Sequence, residues 1–451
     1  MQRVLIANRG EIALRAIRAC RELGLDSVAV YSTADQEALH VRSADEAVCI
    51  GPPHARESYL NVAAILQAAR QCGADAVYPG YGFLAENPVF AAACRDEGLV
   101  FVGPGTAAIE AMGDKAEARR VAMSAGVPTV PGTEGKTSLE EALEVAADIG
   151  YPVMVKAAAG GGGRGIRVAR DEGDLADLVF QAAREADAAF GDGSLYLEKL
   201  LVDARHVEIQ VLGDSHGNLV HLFERECSLQ RRRQKLLEET PSPALDDGTR
   251  TAMAGAAIRL ARTAGYENAG TVEFLLDRDG GFYFIEMNTR IQVEHPVTEL
   301  VTGVDLVKEQ LRVARGEPLS VTQDGIVMTG AAVEVRINAE DPARSVLPSP
   351  GQITVLELPG GPGVRVDTAA YAGYHVPPFY DSLIAKLICS GRDRDEALAR
   401  TRRALGEFRI EGIHTTIPFH LELLASEAVQ TGDYHVEFLE QSHAGSGRMP
   451  G

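Results

Sequence analysis

Paired cysteines and long apolar stretches are both missing from this sequence. Six cysteines are spread along it: Cys20, Cys49, Cys72, Cys94, Cys227 and Cys389. They form no C-x-x-C pair and do not cluster with histidine, which argues against a zinc site or a disulfide framework and predicts reduced, mostly buried thiols. No stretch approaches the roughly 20 apolar residues that a membrane helix needs, and no secretory leader precedes the strand-like run at residues 4–7. We therefore expect a cytoplasmic protein without a membrane partner.

Positive charge is also scarce. The chain carries 44 lysines and arginines against 64 aspartates and glutamates, which gives a net charge of −20. Such a field repels nucleic acid and anionic membranes, so a phosphate or carboxylate ligand must be bound by a local basic pocket. The apolar fraction of 45% and the charged fraction of 24% are typical of a soluble globular enzyme.

The length of 451 residues exceeds that of a single hydrophobic core and predicts two or three domains. The first part of the chain alternates short apolar runs with helical periodicity, which is typical of a parallel α/β sheet, although no G-x-G-x-x-G follows its first strand. Turn formers at residues 127–132 predict the start of a small α+β unit, and a strand-rich remainder follows. We predict domains at residues 1–112, 131–203 and 204–446, in the fold classes α/β and α+β.

A glycine-rich segment follows the strand-like run that contains Lys156. Four consecutive glycines, residues 160–163, allow the backbone N–H groups to approach phosphate oxygens and allow the segment to move as a lid. No Gly-Lys-Ser/Thr follows, so this is not a Walker loop. A flexible surface hairpin would have the same composition, but a lysine inside an apolar run needs an anionic partner.

Two carboxylates are predicted to face each other across a hairpin. Asp279-Gly280 lies between two aromatic and β-branched runs and predicts the turn. The register then places Glu273 opposite Glu286, with Asn288 further along the same face. Opposed like charges call for a cation, and this donor set suits Mg²⁺. The alternative is a pair of solvated glutamates on an exposed strand.

Further polar residues follow this hairpin. Continued alternation would place Arg290, Gln292 and Glu294 on the face of Glu286. The planar guanidinium of Arg290 suits an oxyanion and Glu294 suits a general base, although a solvated edge strand would have the same pattern. A basic run ending at Lys235 favours an anionic substrate, since the acidic chain argues against nucleic acid. His206 alone is more simply a structural residue.

Taken together, these motifs resemble the biotin carboxylase subunit or domain of biotin-dependent carboxylases, within the ATP-grasp superfamily. The resemblance covers essentially the whole chain and is carried by IANRGEIALR (6–15), YPGYGFLAEN (78–87), MGDK (112–115), KAAAGGGGRG (156–165), HVEIQV (206–211), ERECSLQRRRQK (224–235), FIEMNTRIQVEHPVTE (284–299), RINAEDP (336–342) and YDSLIAKL (380–387). It implies a Rossmann-like pre-ATP-grasp domain, a small ATP-grasp lid domain and a larger strand-rich catalytic domain.

The resemblance also implies the roles of individual residues. The residues implied to contact ATP are Lys115, Lys156, Gly162, Gly163, Glu198, Leu201, His206, Gln230 and Arg233. Of these, Gly162 and Gly163 belong to the lid. The implied ligands of magnesium or manganese are Glu273, Glu286 and Asn288. Bicarbonate is implied to bind to Lys235, Arg290 and the backbone of Val293, and Glu294 to act as the base that deprotonates it. Arg336 is implied to contact the ureido oxygen of biotin. Position 233 departs from the family, which often has histidine or asparagine there.

The implied activity is the carboxylation of biotin through carboxyphosphate, which is the first half-reaction of an acyl-CoA carboxylase, with acetyl-CoA as the expected acceptor and another acyl-CoA as the alternative. No Met-Lys-Met biotinylation motif occurs in the sequence. We therefore expect biotin to arrive on a separate biotin carboxyl carrier protein, a carboxyltransferase subunit to complete the enzyme, and the chain to form a homodimer. Two alternatives are another ATP-grasp ligase that acts on a carboxylate or ammonia, and a nucleotide-binding regulatory subunit without catalysis. The segment from Arg290 to Glu294 and Arg336 argue against the first, and the presence of Glu286, Asn288, Arg290 and Glu294 argues against the second.

Overall fold

The structure is a computed structural model that describes residues 1–133, 137–157, 166–190, 194–344 and 347–441. Within these ranges the chain forms a parallel sheet, a small antiparallel sheet and a large antiparallel sheet, together with short two-stranded pairs. The mixed α/β class predicted from the sequence is confirmed. The cysteines are free, and all but Cys49 are buried, as predicted.

The N-terminal part is a five-stranded parallel sheet in the order β3-β2-β1-β4-β5. Its strands are β1 (Arg3–Ile6), β2 (Asp26–Ser32), β3 (Glu46–Gly51), β4 (Ala76–Tyr78) and β5 (Val100–Phe101). The helices of this part are α1 (Gly10–Glu22), α2 (Leu39–Ser43), α3 (Val62–Cys72), α4 (Pro88–Asp96), α5 (Thr106–Gly113) and α6 (Lys115–Ser124). Apolar residues of β1 and β2 are buried on both faces of the sheet, which is the expected pattern for a parallel sheet covered by helices.

A three-stranded antiparallel sheet follows, in the order β7-β6-β8. It consists of β6 (Val153–Ala157), β7 (Ile166–Ala169) and β8 (Leu195–Lys199), with α7 (Leu139–Ile149) and α8 (Glu172–Phe190). The Ser138 hydroxyl accepts a hydrogen bond from the Glu141 N–H and caps α7. The helix and strands predicted for this unit are present. The backbone at Gly132 packs closely against this sheet. A Cβ atom there would lie 2.1 Å from the Leu197 carbonyl oxygen, so a residue with a side chain would clash.

The large sheet has eight strands in the order β13-β12-β9-β10-β11-β14-β21-β19. Its members are β9 (Arg205–Gly213), β10 (Leu219–Arg231), β11 (Gln234–Thr240), β12 (Asn268–Leu276), β13 (Phe282–Asn288), β14 (Ala331–Asn338), β19 (Val364–Thr368) and β21 (Leu383–Gly391). All its neighbouring strands run antiparallel. The remaining strands are short: β15 (Glu340–Asp341), β16 (Leu347–Pro348), β17 (Gly351–Gln352), β18 (Val355–Glu357), β20 (His375–Val376) and β22 (Arg409–Glu411).

The later helices cover this sheet. They are α9 (Asp247–Thr263), α10 (His295–Thr302), α11 (Leu306–Ala314), α12 (Arg394–Glu407), α13 (Ile417–Ala425) and α14 (Glu427–Thr431). Helix α12 packs on β14 and β21, and α11 reaches back to α1. No helix of the described ranges is both long and apolar enough to cross a membrane. The domain boundaries at 112, 131, 203 and 446 stay predictions, and residue 446 lies outside the described residues.

Candidate active site

A cavity of about 710 Å³ lies between the small sheet and the large sheet. Its walls are β6 and β8 on one side, β9 to β13 on the other, and the segment that follows β13. The residues predicted from the sequence that line it are Lys115, Lys156, Leu201, His206, Gln230, Arg233, Lys235, Glu273, Glu286, Asn288, Arg290, Val293 and Arg336. The structure therefore brings together side chains that are widely separated in the sequence.

The predicted pairing of the two carboxylates is confirmed, although a register shift between Glu273 and Phe274 leaves the part of the hairpin nearer the turn one residue out of the predicted register. Glu273 on β12 is the cross-strand partner of Glu286 on β13. Burial alone would raise the pKa of Glu273, but Lys235 and His206 outweigh it and lower that pKa. The pKa of Glu286 is instead raised, by burial and by the charge of Glu273.

The donor set of this hairpin suits a hard cation. The Glu286 carboxylate accepts no hydrogen bond from the described residues, and the Asn288 carboxamide lies on the same edge. Two carboxylates and a carboxamide offer oxygen ligands of the kind that Mg²⁺ or Mn²⁺ prefers. The ligand types therefore suit the predicted metal. Glu273 already accepts from Lys235, and the Asn288 carboxamide oxygen accepts from Arg290 at 3.0 Å, so these two ligands would exchange partners when a cation binds.

Lys235 is the centre of the charged half of the cavity. Its ammonium lies 2.5 Å from Glu208, 3.0 Å from Glu273 and 2.6 Å from Glu294. Burial would lower the pKa of Lys235, but these three carboxylates outweigh it and raise that pKa well above its usual value. His206 adds a contact of 3.0 Å to Glu273 from the neighbouring strand β9. The carboxylates are thus neutralised from within the protein.

The segment after β13 departs from the predicted alternation. The strand ends at Asn288, so the prediction that strand alternation continues to Glu294 is wrong. The chain leaves the sheet because the Thr289 N–H donates to the Glu86 carboxylate, 2.9 Å away, instead of to another strand. The polar side chains still converge: Gln292 donates to Glu273 at 3.2 Å, and Glu294 accepts from Lys235. We call residues 289–294 the site loop.

Glu294 connects Lys235 to Arg336. Arg336 donates to Glu294 at 2.9 Å and to Glu238 at 2.6 Å. Although burial raises the pKa of Glu294, the cations Lys235 and Arg336 outweigh it and hold that pKa well below its usual value. The two cations therefore stabilise Glu294 as a carboxylate, and its basicity would rise as these ion pairs loosen.

The opposite half of the cavity carries the residues predicted to contact nucleotide. Lys156 pairs with Glu198 between adjacent strands of the small sheet, and Lys115 begins α6. The Gln230 carboxamide lies 3.0 Å from the His206 ring. Arg233 occupies the two-residue turn between β10 and β11 at φ +65°, a conformation that glycine and asparagine adopt more readily. Gly162 and Gly163 lie outside the described residues.

Several residues of the site were missed by the sequence reasoning. Glu208 lies two residues after His206 on the same strand face, so strand alternation could have identified it. The fully buried Arg225 donates to Glu208 at 2.6 Å, and only its place in a charged run hinted at a role. Glu86 comes from a distant segment and accepts a hydrogen bond from Arg290 at 2.9 Å. It lies in the motif YPGYGFLAEN, but no spacing along the chain predicts its contact with Arg290.

Comparisons with known proteins agree with this site. Family models match along the chain: "Biotin carboxylase, N-terminal domain" at residues 1–109, "Carbamoyl-phosphate synthase L chain, ATP binding domain" at 114–322 and "Biotin carboxylase C-terminal domain" at 334–441. Biotin carboxylase 1 of Bacillus subtilis is 57% identical over 98% of both chains. A pyruvate carboxylase subunit of Methanothermobacter thermautotrophicus is 53% identical over 98% of this chain and 90% of that protein.

Solved structures give the same result. The biotin carboxylase of Campylobacter jejuni, solved as a complex with a β,γ-ATP ligand, superposes with a TM-score of 0.92 at 47% identity and 98% coverage of both chains. The biotin carboxylase domain dimer of the 2-oxoglutarate carboxylase of Hydrogenobacter thermophilus, solved with MgADP, ADP and bicarbonate, superposes with a TM-score of 0.91 at 49% identity, also over 98% of both chains. This chain belongs to the biotin carboxylase family of ATP-dependent ligases.

Proposed function

We propose that this chain carboxylates biotin on a separate biotin carboxyl carrier protein, as the first half-reaction of an acyl-CoA carboxylase whose final acceptor is acetyl-CoA. The observation that carries the proposal is the connected set Lys235, Glu294 and Arg336 beside the opposed pair Glu273 and Glu286. It combines cations for an anionic substrate, an ionised base and a cation site within one cavity. A carboxyltransferase subunit would complete the enzyme.

The bicarbonate subsite is proposed at the site loop. The Val293 N–H donates no hydrogen bond within the described residues, so it is available to an oxyanion, and the Arg290 guanidinium lies at the cavity wall. Lys235 would supply further positive charge. Glu294 would accept the proton of bicarbonate, whose oxygen then attacks the γ-phosphorus of ATP with release of ADP.

The nucleotide subsite is proposed between the two sheets. Lys115, Lys156, Glu198, Leu201, His206, Gln230 and Arg233 would contact ATP, and the glycine lid at Gly162 and Gly163 would close over its phosphates. Glu273, Glu286 and Asn288 would hold Mg²⁺ or Mn²⁺, which neutralises phosphate charge during transfer. Carboxyphosphate is unstable in water, so a closed site would protect it from hydrolysis.

The biotin subsite is proposed at Arg336. Carboxyphosphate would break down to CO₂ and phosphate, and the phosphate would take the N1 proton of biotin. The Arg336 guanidinium would stabilise the negative charge that develops on the ureido oxygen, and N1 would then attack CO₂. The ion pairs of Arg336 with Glu238 and Glu294 hold it at the wall for this purpose.

Assembly and location extend the proposal. A homodimer is proposed, since the Hydrogenobacter domain of the same fold is described as a dimer. The three-domain division at 1–112, 131–203 and 204–446 is proposed from the sequence. A cytoplasmic location is proposed because free thiols are typical of reducing compartments.

The test is ADP release by the purified chain with Mg²⁺ and ATP, measured with and without bicarbonate and with and without free biotin. We expect release to depend on bicarbonate and to rise with biotin. Activity that is indifferent to both would contradict the proposal. Reconstitution with a biotinylated carrier and a carboxyltransferase then separates acetyl-CoA from pyruvate as acceptor, a choice that matters because a protein named for pyruvate carboxylase is among the relatives.

A further inference from the structure

A fully buried lysine lies behind the site loop. Lys386 on β21 has no exposed surface, and its ammonium donates to the Val293 carbonyl oxygen at 2.9 Å. The same ammonium lies 3.1 Å from the Glu11 carboxylate and 3.9 Å from that of Asp367. Two motifs of the sequence that the proposed chemistry does not use, IANRGEIALR and YDSLIAKL, therefore meet at this point.

This lysine is kept charged by its surroundings. Burial would lower the pKa of Lys386, but nearby acidic groups, among them the Glu11 and Asp367 carboxylates that lie within 4 Å of its ammonium, outweigh burial and raise that pKa above its usual value. A buried ion pair is seldom retained for stability alone, since an apolar side chain of similar volume often stabilises a fold at least as well. The role of Lys386 is therefore inferred from the hydrogen bond that its ammonium donates to the Val293 carbonyl oxygen.

That contact ties the backbone of the site loop to the large sheet. The site loop lies between β13 and α10 and has no strand partner among the described residues. Its Ile291, Gln292 and Glu294 carbonyl oxygens accept hydrogen bonds from within the loop or from the start of α10. Its first N–H is instead held by Glu86, and its Val293 carbonyl by Lys386 on β21. The Val293 carbonyl belongs to the peptide that leads into Glu294. Lys386 thus orients the peptide between the proposed bicarbonate contact and the proposed base.

Glu11 extends this support to the cavity wall. It lies in the first turn of α1, is buried, and accepts a hydrogen bond from the Tyr81 hydroxyl, which lines the cavity. One ion pair therefore joins the N-terminal sheet, the large sheet and the site loop. Displacement of either partner would move the loop relative to Tyr81.

We propose that Lys386, braced by Glu11, is a positioning residue that holds the site loop in the geometry needed to bind and deprotonate bicarbonate. The inference rests on the proposed bicarbonate subsite. It concerns neither the nucleotide subsite nor contact between Lys386 and substrate. Misplacement of a reacting group by about 1 Å costs on the order of 100-fold in rate.

The test is Lys386→Met in the full chain, which retains an unbranched side chain but removes the charge and the donor. We expect the KM for bicarbonate to rise about 10-fold or more and kcat to fall, with the dissociation constant of MgADP unchanged. Arg394→Met is the matched control, since Arg394 is also largely buried and pairs with Glu239 away from the cavity. That control is expected to lower the melting temperature and to keep the KM for bicarbonate.

The inference is overturned if Lys386→Met keeps the parent KM and kcat, or if the control and Lys386→Met raise that KM equally. Glu11→Gln carries the test if Lys386→Met does not fold, with an expected rise of about 3- to 10-fold in the KM for bicarbonate and the parent value as the overturning result. Arg290→Ala distinguishes failure of the proposed bicarbonate subsite from failure of the positioning role of Lys386 alone. If Arg290→Ala leaves that KM unchanged, the proposed bicarbonate subsite fails; if it raises the KM and the Lys386 and Glu11 variants do not, only the positioning role fails.

Discussion

The two halves of the cavity are built differently. In the charged half, Lys235 contacts three carboxylates from the large sheet and the site loop. In the nucleotide half, Lys156 contacts the single carboxylate Glu198, and apolar residues such as Met154 lie beside it. The charges of the first half are therefore paired within the protein before substrate binds, whereas in the second half Lys156 has fewer carboxylate partners and can pair with an anionic ligand. A catalytic group needs a fixed position, which ion pairs provide. A group that binds an anionic substrate needs positive charge that the protein does not already neutralise.

The largest effect is expected from Glu294→Gln, which retains the shape of the charged half and removes its base. Biotin carboxylation and bicarbonate-dependent ATP cleavage should fall about 1,000-fold, because the carboxamide cannot accept the proton. Nucleotide affinity should be unchanged. Rates and the dissociation constant of MgADP measure the two halves separately. Glu309→Gln, at a buried carboxylate that pairs with Arg312, is the control; a Glu294 variant as active as this control would remove Glu294 from the mechanism.

A second prediction compares the two lysines directly. Lys235→Met removes the cation that three buried carboxylates share and leaves each with a single other close cationic partner, namely Arg225, His206 or Arg336, so we expect a loss of about 3–5 kcal/mol in the free energy of unfolding. Lys156→Met breaks one partly exposed pair, with an expected loss of about 1 kcal/mol or less, and raises the KM for ATP about 10-fold. Urea denaturation and initial rates test these values. Equal losses of stability would contradict the distinction between the halves.

The metal site lies where the halves meet and gives the third prediction. Glu286→Gln should raise the Mn²⁺ or Mg²⁺ concentration for half-maximal activity about 10- to 100-fold. The carboxylate accepts no hydrogen bond from the described residues, so its replacement breaks none of those and the melting temperature should be nearly unchanged. A metal titration of initial rates is the measurement. An unchanged metal requirement would exclude Glu286 as a ligand.

The fourth prediction concerns a buried acid behind the charged half. Glu334 is fully buried opposite Glu238, and neither of its carboxylate oxygens has a hydrogen-bond partner within the described ranges. Burial and Glu238 raise the pKa of Glu334 well above its usual value, although Lys386 opposes them. The folded state therefore binds a proton that the unfolded state releases, and this contribution to stability is lost as pH rises from the unfolded value toward the folded one.

Glu334→Gln removes that linkage. Its free energy of unfolding should fall less steeply between pH 5 and 8 than that of the parent, by up to about 1.4 kcal/mol per pH unit. Denaturation midpoints across this range test the sign. Parallel curves for variant and parent would show that Glu334 does not hold the proton.

Local pattern predicted the parts of the site that depend on local geometry. The Asp279-Gly280 turn predicted a hairpin that opposes Glu273 and Glu286, and the structure has this pairing. It does so only because a register shift between Glu273 and Phe274 offsets a turn that lies half a residue from the predicted centre. The same alternation failed beyond Asn288, because a strand end is decided by which groups lie beside it, here Glu86. Residues such as Arg225 and Lys386 act through tertiary contacts, which no spacing along one element records. The family resemblance supplied substrate identities that geometry alone does not specify.

The Lys235 cluster also limits the routes by which this sequence can change. Exchange of Lys235 alone leaves three buried carboxylates with one cation fewer, and exchange of Glu208 alone leaves the fully buried Arg225 without a carboxylate. A joint exchange of Lys235, Glu208 and Arg225 for well-packed apolar residues removes both conflicts. Folded variants at these three positions are therefore separated from the parent by less stable intermediates, and a library that varies them together should recover folded proteins that stepwise mutagenesis discards.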